Sequence, residues 1–104
     1  MEITSQEFKD KIQSGEKFIV DMYANWCGPC RILGPIIERF SNDLKTEGSD
    51  INVYKFDIES DKELAVSLGV RSIPTIKAFS GGKNVDTKMG VLQENQLRDM
   101  VSVL

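Results

Sequence analysis

The sequence predicts a mixed α/β domain with helices on both faces of one sheet. Three observations carry this reading. Short apolar runs alternate with stretches whose apolar residues recur every three to four positions. The order is strand–helix–strand early, after a short opening strand, and helix–hairpin–helix late. No repeat, low-complexity tract or linker divides the 104 residues, so residues 1–104 read as a single domain of ordinary size.

The opening strand is "EIT". Thr4 stands three residues before Glu7, the spacing of a capping box, and opens a helix that stops at Gly15. Phe8 and Ile12 share one face of it. "KFIVDMYA" reads as a buried strand over 18–24, interrupted only by Asp21. "RILGPIIERFSNDL" then carries Leu33, Ile36, Ile37, Phe40 and Leu44 at helical spacing, with Pro35 inside and a kink expected there. "INVYKFDI" at 51–58 is the next strand. Ser60 with Glu63 suggests a second capping box, opening a short helix with Leu64, Ala65 and Leu68 that stops at Gly69. "TIKAF" and "NVDTKM" flank "SGGK", a hairpin connection. The last helix sets Leu97, Met100, Val101 and Leu104 on one face.

Composition narrows the function classes. Hydrophobic residues make up 40% and charged residues 28%, the balance of an ordinary globule. The apolar runs are far shorter than the roughly 20 residues of a spanning helix. No export signal is visible, so a cytoplasmic, reducing compartment is expected. The net charge is −3, with 13 basic residues dispersed among 16 acidic ones, which argues against nucleic acid. The chain contains no histidine, so Ser-His-Asp and Cys-His chemistry are both excluded. Cysteine, carboxylate and lysine remain.

Both cysteines lie in "ANWCGPC", as Cys27 and Cys30. A structural disulfide there closes so short a loop that it removes little entropy from the unfolded chain. A metal site needs further thiol or imidazole ligands, and the chain has none, so carboxylates or a second subunit would have to serve. A redox pair is the third reading, and position favours it. The motif joins a buried strand to an amphipathic helix, which puts Cys27 at a helix N-terminus, where free amides and the dipole favour a thiolate. Cys27 is expected to be exposed and to attack. Cys30, one turn on and facing inward, is expected to resolve. Gly28 permits close approach, and Pro29 suits a first helical turn.

"VDMYANWCGPC", Pro35 five residues beyond Cys30, "KFDIE", "GVRSIPT" and Gly90 form an ordered set along nearly the whole chain. Together they resemble the thioredoxin family. The resemblance implies a central five-stranded sheet flanked by four helices, with a parallel first unit and a terminal antiparallel hairpin. It also implies dithiol–disulfide exchange with protein substrates, recharged by a thioredoxin reductase. Two other uses of such a domain stay open: a non-catalytic scaffold or processivity subunit, and a disulfide isomerase or oxidant. Pro29, where a histidine would make the pair more oxidising, favours the reductase. No dinucleotide-binding glycine pattern occurs, so no bound cofactor is expected. The expected partners are the reductase and disulfide-containing proteins, with no membrane or nucleic acid, and the chain is expected to act as a monomer.

Asp21 is an ionisable group inside "FIVDMY", costly if buried and charged, and burial raises its pKa. The resemblance places it beneath the active site, aiding proton transfer to Cys30, with Lys55 approaching it. The plainer readings are an edge carboxylate facing water and a solvated strand lysine. Pro74 could simply start a strand. The resemblance instead implies a cis bond after Ile73, set against the disulfide, with the Ile73 backbone free to pair with an extended peptide. It gathers Trp26, Gly28, Pro29, Ile73, Pro74, Gly90 and Val91 into an apolar docking surface, although Trp26 could be core and Gly90 a turn glycine. Ile58 could join that surface or the core. The sequence departs from the commoner family pattern at Asn25, at Gly34 where alanine is frequent, and at Lys77 inside "TIKAF". The last helix also lacks a serine or threonine cap.

Overall fold

A computed structural model describes residues 1–104. Its central strand, β1 (Phe18–Tyr23), is buried along its whole length, because its near-continuous apolar run is covered on both faces. The other strands are β2 (Asn52–Asp57), β3 (Thr75–Ser80) and β4 (Lys83–Met89). The order across the sheet is β2-β1-β3-β4, with β1 and β2 parallel and the remaining pairs antiparallel. β4 is the outer edge, and Lys83, Asp86 and Lys88 along it discourage pairing with another sheet.

The expected fifth strand is present as one parallel bridge, between Glu2 and Lys55. It goes no further because Thr4 already caps α1 (Ser5–Ser14), accepting from the Glu7 amide while the Glu7 carboxylate accepts from the Thr4 amide. Gly15 closes that helix, as expected. α2 (Gly28–Thr46) runs 19 residues and continues through Pro35, losing the one amide that would have bonded the Arg31 carbonyl.

The second capping box is corrected. Ser60 ends a 3-10 turn (Ile58–Ser60) capped by Asp57, and its hydroxyl donates back to the Asp57 carbonyl. The N-cap of α3 (Lys62–Ser67) is therefore Asp61, whose carboxylate accepts from the Leu64 amide at 3.0 Å. α4 (Glu94–Ser102) begins without a hydroxyl cap, and the Gln96 side chain accepts from the Gln93 amide instead. Gly81 and Gly82, at φ 60° and 82°, make the tight β3–β4 turn that only glycine adopts easily.

Strand alternation sorts side chains onto two cores. Ile19, Val53, Ile76 and Ala78 meet Leu33, Ile37, Phe40 and Leu44 of α2 and Leu97 and Met100 of α4. On the other face Phe18, Val20, Met22, Tyr54, Phe56 and Phe79 surround Phe8 of α1. Phe8 makes edge contacts with three of those rings. No helix is long and apolar enough to cross a membrane. Sheet and helices together fix the end of β1, where the cysteines begin.

Candidate active site

Cys27 is the N-cap of α2, with extended backbone and its sulfur accepting from the Cys30 amide at 3.2 Å. Pro29 falls in the first turn, where its missing amide costs no helix bond. The two sulfurs form a disulfide across a Cα separation of 5.2 Å. No cluster of three or more His, Cys, Asp or Glu side chains is assembled anywhere, which leaves the two sulfurs without further metal ligands.

One expectation fails here: Cys27 is only 4% exposed, hardly different from Cys30 at 5%. In the disulfide, Cys27 is covered by the segment before β3. Its sulfur lies 3.7 Å from the Ile73 carbonyl oxygen, which can accept a hydrogen bond from it only once the sulfur is a reduced thiol. What separates the two cysteines is electrostatic position, since Cys27 is the N-cap of α2 and its sulfur accepts the Cys30 amide.

The Ile73–Pro74 bond is cis. Neither the amide nor the carbonyl of Ile73 bonds to another backbone group, so both stay free for an added strand. Gly90, at φ 89°, turns the chain after β4 so that its amide donates to the Pro74 carbonyl at 3.0 Å. Val91 follows and is partly exposed. Trp26 is 68% exposed, which removes the core reading, and its indole Nε1–H donates to Glu59 at 2.6 Å. Trp26, Ile58, Ile73, Val66 and Val70 line an open groove of about 350 Å³ beside the disulfide. Gly28 and Pro29 are exposed.

Asp21 lies on β1, six residues before Cys27, with no solvent exposure. Neither carboxylate oxygen has a hydrogen-bond partner. Burial pushes its pKa up to about 6, against a smaller lowering by the Lys55 charge. The edge-carboxylate reading is thereby excluded. Lys55 is the register partner of Asp21 on β2, half-buried, with its ammonium 4.6 Å from the centre of the Tyr23 ring. A groove of about 360 Å³ is lined by Tyr23, Cys30, Gly34, Glu38 and Lys55.

This arrangement can be compared with known proteins. The family model described as Thioredoxin matches residues 1–103. The chain belongs to the thioredoxin family. It is 39% identical over 101 residues to a thioredoxin of Rickettsia bellii (strain RML369-C), covering 96% of this chain and 93% of that protein. It is 40% identical over 97 residues to thioredoxin 2 of Chlorobaculum tepidum, covering 92% and 86%. Among solved structures, a mutant thioredoxin from Halobacterium salinarum NRC-1 superposes with a TM-score of 0.80 at 31% identity, over 99% of this chain and 88% of that one. As a thioredoxin-family member the chain is a thiol–disulfide oxidoreductase, exchanging electrons through the Cys27–Cys30 pair.

Sequence reasoning did not find Glu59 or Tyr23. Glu59 ends the quoted "KFDIE", but nothing local signals its bond to an indole 33 residues earlier. Tyr23 is one more apolar position of a buried strand until the sheet register sets Lys55 against it.

Proposed function

We propose that this thioredoxin-family domain, residues 1–104 acting as one unit and as a monomer, is a general protein-disulfide reductase. The observation that carries the reading is Cys27 at the N-cap of α2, accepting the Cys30 amide beside the unpaired backbone of Ile73. A thioredoxin reductase supplies two electrons, and with two protons the Cys27–Cys30 disulfide becomes a dithiol. A target docks its extended chain along Ile73 and its apolar side chains on Trp26, Gly28, Pro29, Pro74, Gly90 and Val91. The Cys27 thiolate attacks one target sulfur, and the other target sulfur leaves as a thiolate and takes a proton. Cys30 then loses its proton and attacks the Cys27 sulfur, releasing the second target thiol and restoring the disulfide.

Asp21 serves that last step. A carboxyl with a pKa of about 6 holds a proton in part of the population near neutral pH and can accept one from Cys30. Lys55, on the neighbouring strand, biases its charge. Cys30 and Lys55 share an open groove through which solvent can exchange protons with the site. We assign the work to the cytoplasm, where thiols are kept reduced. The test is turnover of insulin disulfides with a thioredoxin reductase and NADPH. Catalytic turnover supports the reductase, and binding of the reductase without turnover would reduce the domain to a scaffold.

A further inference from the structure

Asp21 and Lys55 are direct partners in the β1–β2 register, with side chains on the same face of the sheet. Neighbouring strands lie about 4.8 Å apart. A lysine side chain spans that gap easily, yet no ion pair forms and both Asp21 oxygens stay unpartnered. The ammonium points instead along the strands, over the ring of Tyr23, two residues beyond Asp21 on the same strand face.

We propose that Tyr23 is a positioning residue, whose ring holds the Lys55 ammonium over its face and away from the Asp21 carboxyl. The physical choice is between two sites for one cation. To reach Asp21 the ammonium must give up water, and that cost cancels much of its attraction to the carboxylate, so a modest contact elsewhere tips the choice. Over the ring it meets the negative π-face and keeps water on its other sides. Lys55 borders two grooves, of about 360 and 410 Å³, so water is available there. Gly34 of α2 lines the first groove, and even a Cβ there would meet the ammonium nitrogen only at an ordinary contact distance of 4.0 Å.

The other charges facing this lysine do not compete for it. Glu38 and Arg31 of α2 line the first groove, and Glu2, Glu38 and Lys45 the second, but none forms an ion pair with Lys55. The N-terminal amine repels Lys55 weakly, and Asp57 and Glu2 act on Tyr23 itself, whose hydroxyl is driven upward first by burial and then by Glu2. β3 presents Ile76 opposite Asp21, and α2 presents the uncharged Cys30 disulfide to the groove. Lys55 is thus the one cation on the neighbouring strand able to swing onto Asp21, and the ring decides whether it does. The consequence for catalysis rests on the proposed relay role of Asp21; the control of its titration does not.

The experiment is a carbon-13 NMR titration of the Asp21 carboxyl in four oxidised proteins: wild type, Tyr23→Phe, Tyr23→Leu, and Tyr23→Leu with Lys55→Met. Removing the ring frees Lys55 to pair, so Tyr23→Leu is expected to lower the Asp21 pKa by about one unit, the low end of what a close opposite charge does. Tyr23→Phe keeps the face and should leave the value in place. The double variant should lose the drop. An unchanged or raised value in Tyr23→Leu would overturn the proposal. If that variant does not fold, the wild type decides: Lys55 Cε protons shifted upfield by the ring support the proposal, and unshifted ones refute it. The relay is judged separately, from the pH profile of reduction by Asp21→Asn, so either idea can fail alone.

Discussion

The indole of Trp26 donates to the carboxylate of Glu59 at 2.6 Å, tying the loop before the cysteines to the turn after β2. Both side chains are exposed, so the bond orients a docking surface more than it holds the fold together. Glu59→Ala should therefore raise KM for a protein disulfide with little change in kcat or Tm. The Trp26 bond, then the Lys62 contact, hold the Glu59 carboxyl below the usual carboxylate range. A lowered folded pKa means the bond is complete above the unfolded value of about 4.3 and is lost as pH falls through the folded one. Trp26 fluorescence should change only below that range, and a transition near pH 6 would point to another group.

The two cysteines are almost equally covered, so reactivity has to separate them. The sulfur that accepts the first helix amide is that of Cys27, so its thiolate is the one favoured on reduction. Brief iodoacetamide treatment of the reduced protein followed by peptide mapping should label Cys27 first. Cys30→Ser should accumulate mixed disulfides with targets, because the resolving step is gone. Preferential labelling of Cys30 would reverse the two roles.

Asp21 gives stability a pH signature. Its pKa is raised from about 3.8 to about 6 by burial, so the folded state binds the extra proton between those values. Wild-type stability should fall as pH rises through that window and level off above it. Two units correspond to roughly 2–3 kcal/mol, less whatever the unpaired amide of an asparagine costs in the same place. Asp21→Asn is thus expected to be the more stable protein at pH 7 by denaturant unfolding. Its reduction rate should be lower and should lack the inflection near pH 6. A less stable variant with unchanged kinetics would make Asp21 a structural carboxylate.

Gly34 lies in the interior of α2 with an ordinary helical conformation, and a Cβ there meets nothing closer than the Lys55 nitrogen at 4.0 Å. Gly34→Ala should stabilise the domain by about 0.5–1 kcal/mol through lower unfolded-state entropy. Thermal unfolding measures it. A loss of stability would mean that the groove beside Lys55 tolerates no methyl group.

Lys77 is buried on β3, and its ammonium donates to Asn84 at 2.9 Å and Thr87 at 3.1 Å, with no carboxylate partner. Burial lowers its pKa, so the wild type should gain stability as pH climbs toward the unfolded lysine value near 10.4. Lys77→Met leaves the Thr87–Asn84 hydrogen bond in place and should be as stable as wild type or more so at pH 7. That advantage should shrink with rising pH in parallel denaturation curves.

Local chemistry made much of this legible. The Thr4–Glu7 box, the Gly15 stop, the apolar run of β1 and the glycine turn at 81–82 are each decided by neighbours in sequence, and each appears where those neighbours place it. What stayed hidden depends on distant partners. Ser60 lost the α3 cap to Asp61 because Asp57 first closes a 3-10 turn, which no local spacing announces. Cys27 is covered by Ile73, 46 residues away. The roles of Tyr23 and Glu59 exist only through the sheet register and the packing of the turn against the active-site loop. Lys77, which interrupts the apolar run of β3, finds the partners for its ammonium on β4, in Asn84 and Thr87.

The most direct test of the reductase reading is the equilibrium reduction potential of the Cys27–Cys30 pair, measured against a glutathione or thioredoxin standard. Stabilisation of the Cys27 thiolate by helix amides alone, with Pro29 and no histidine between the cysteines, leads to a value near about −270 mV. A value near about −180 or −120 mV would contradict that account and make the domain an isomerase or an oxidant.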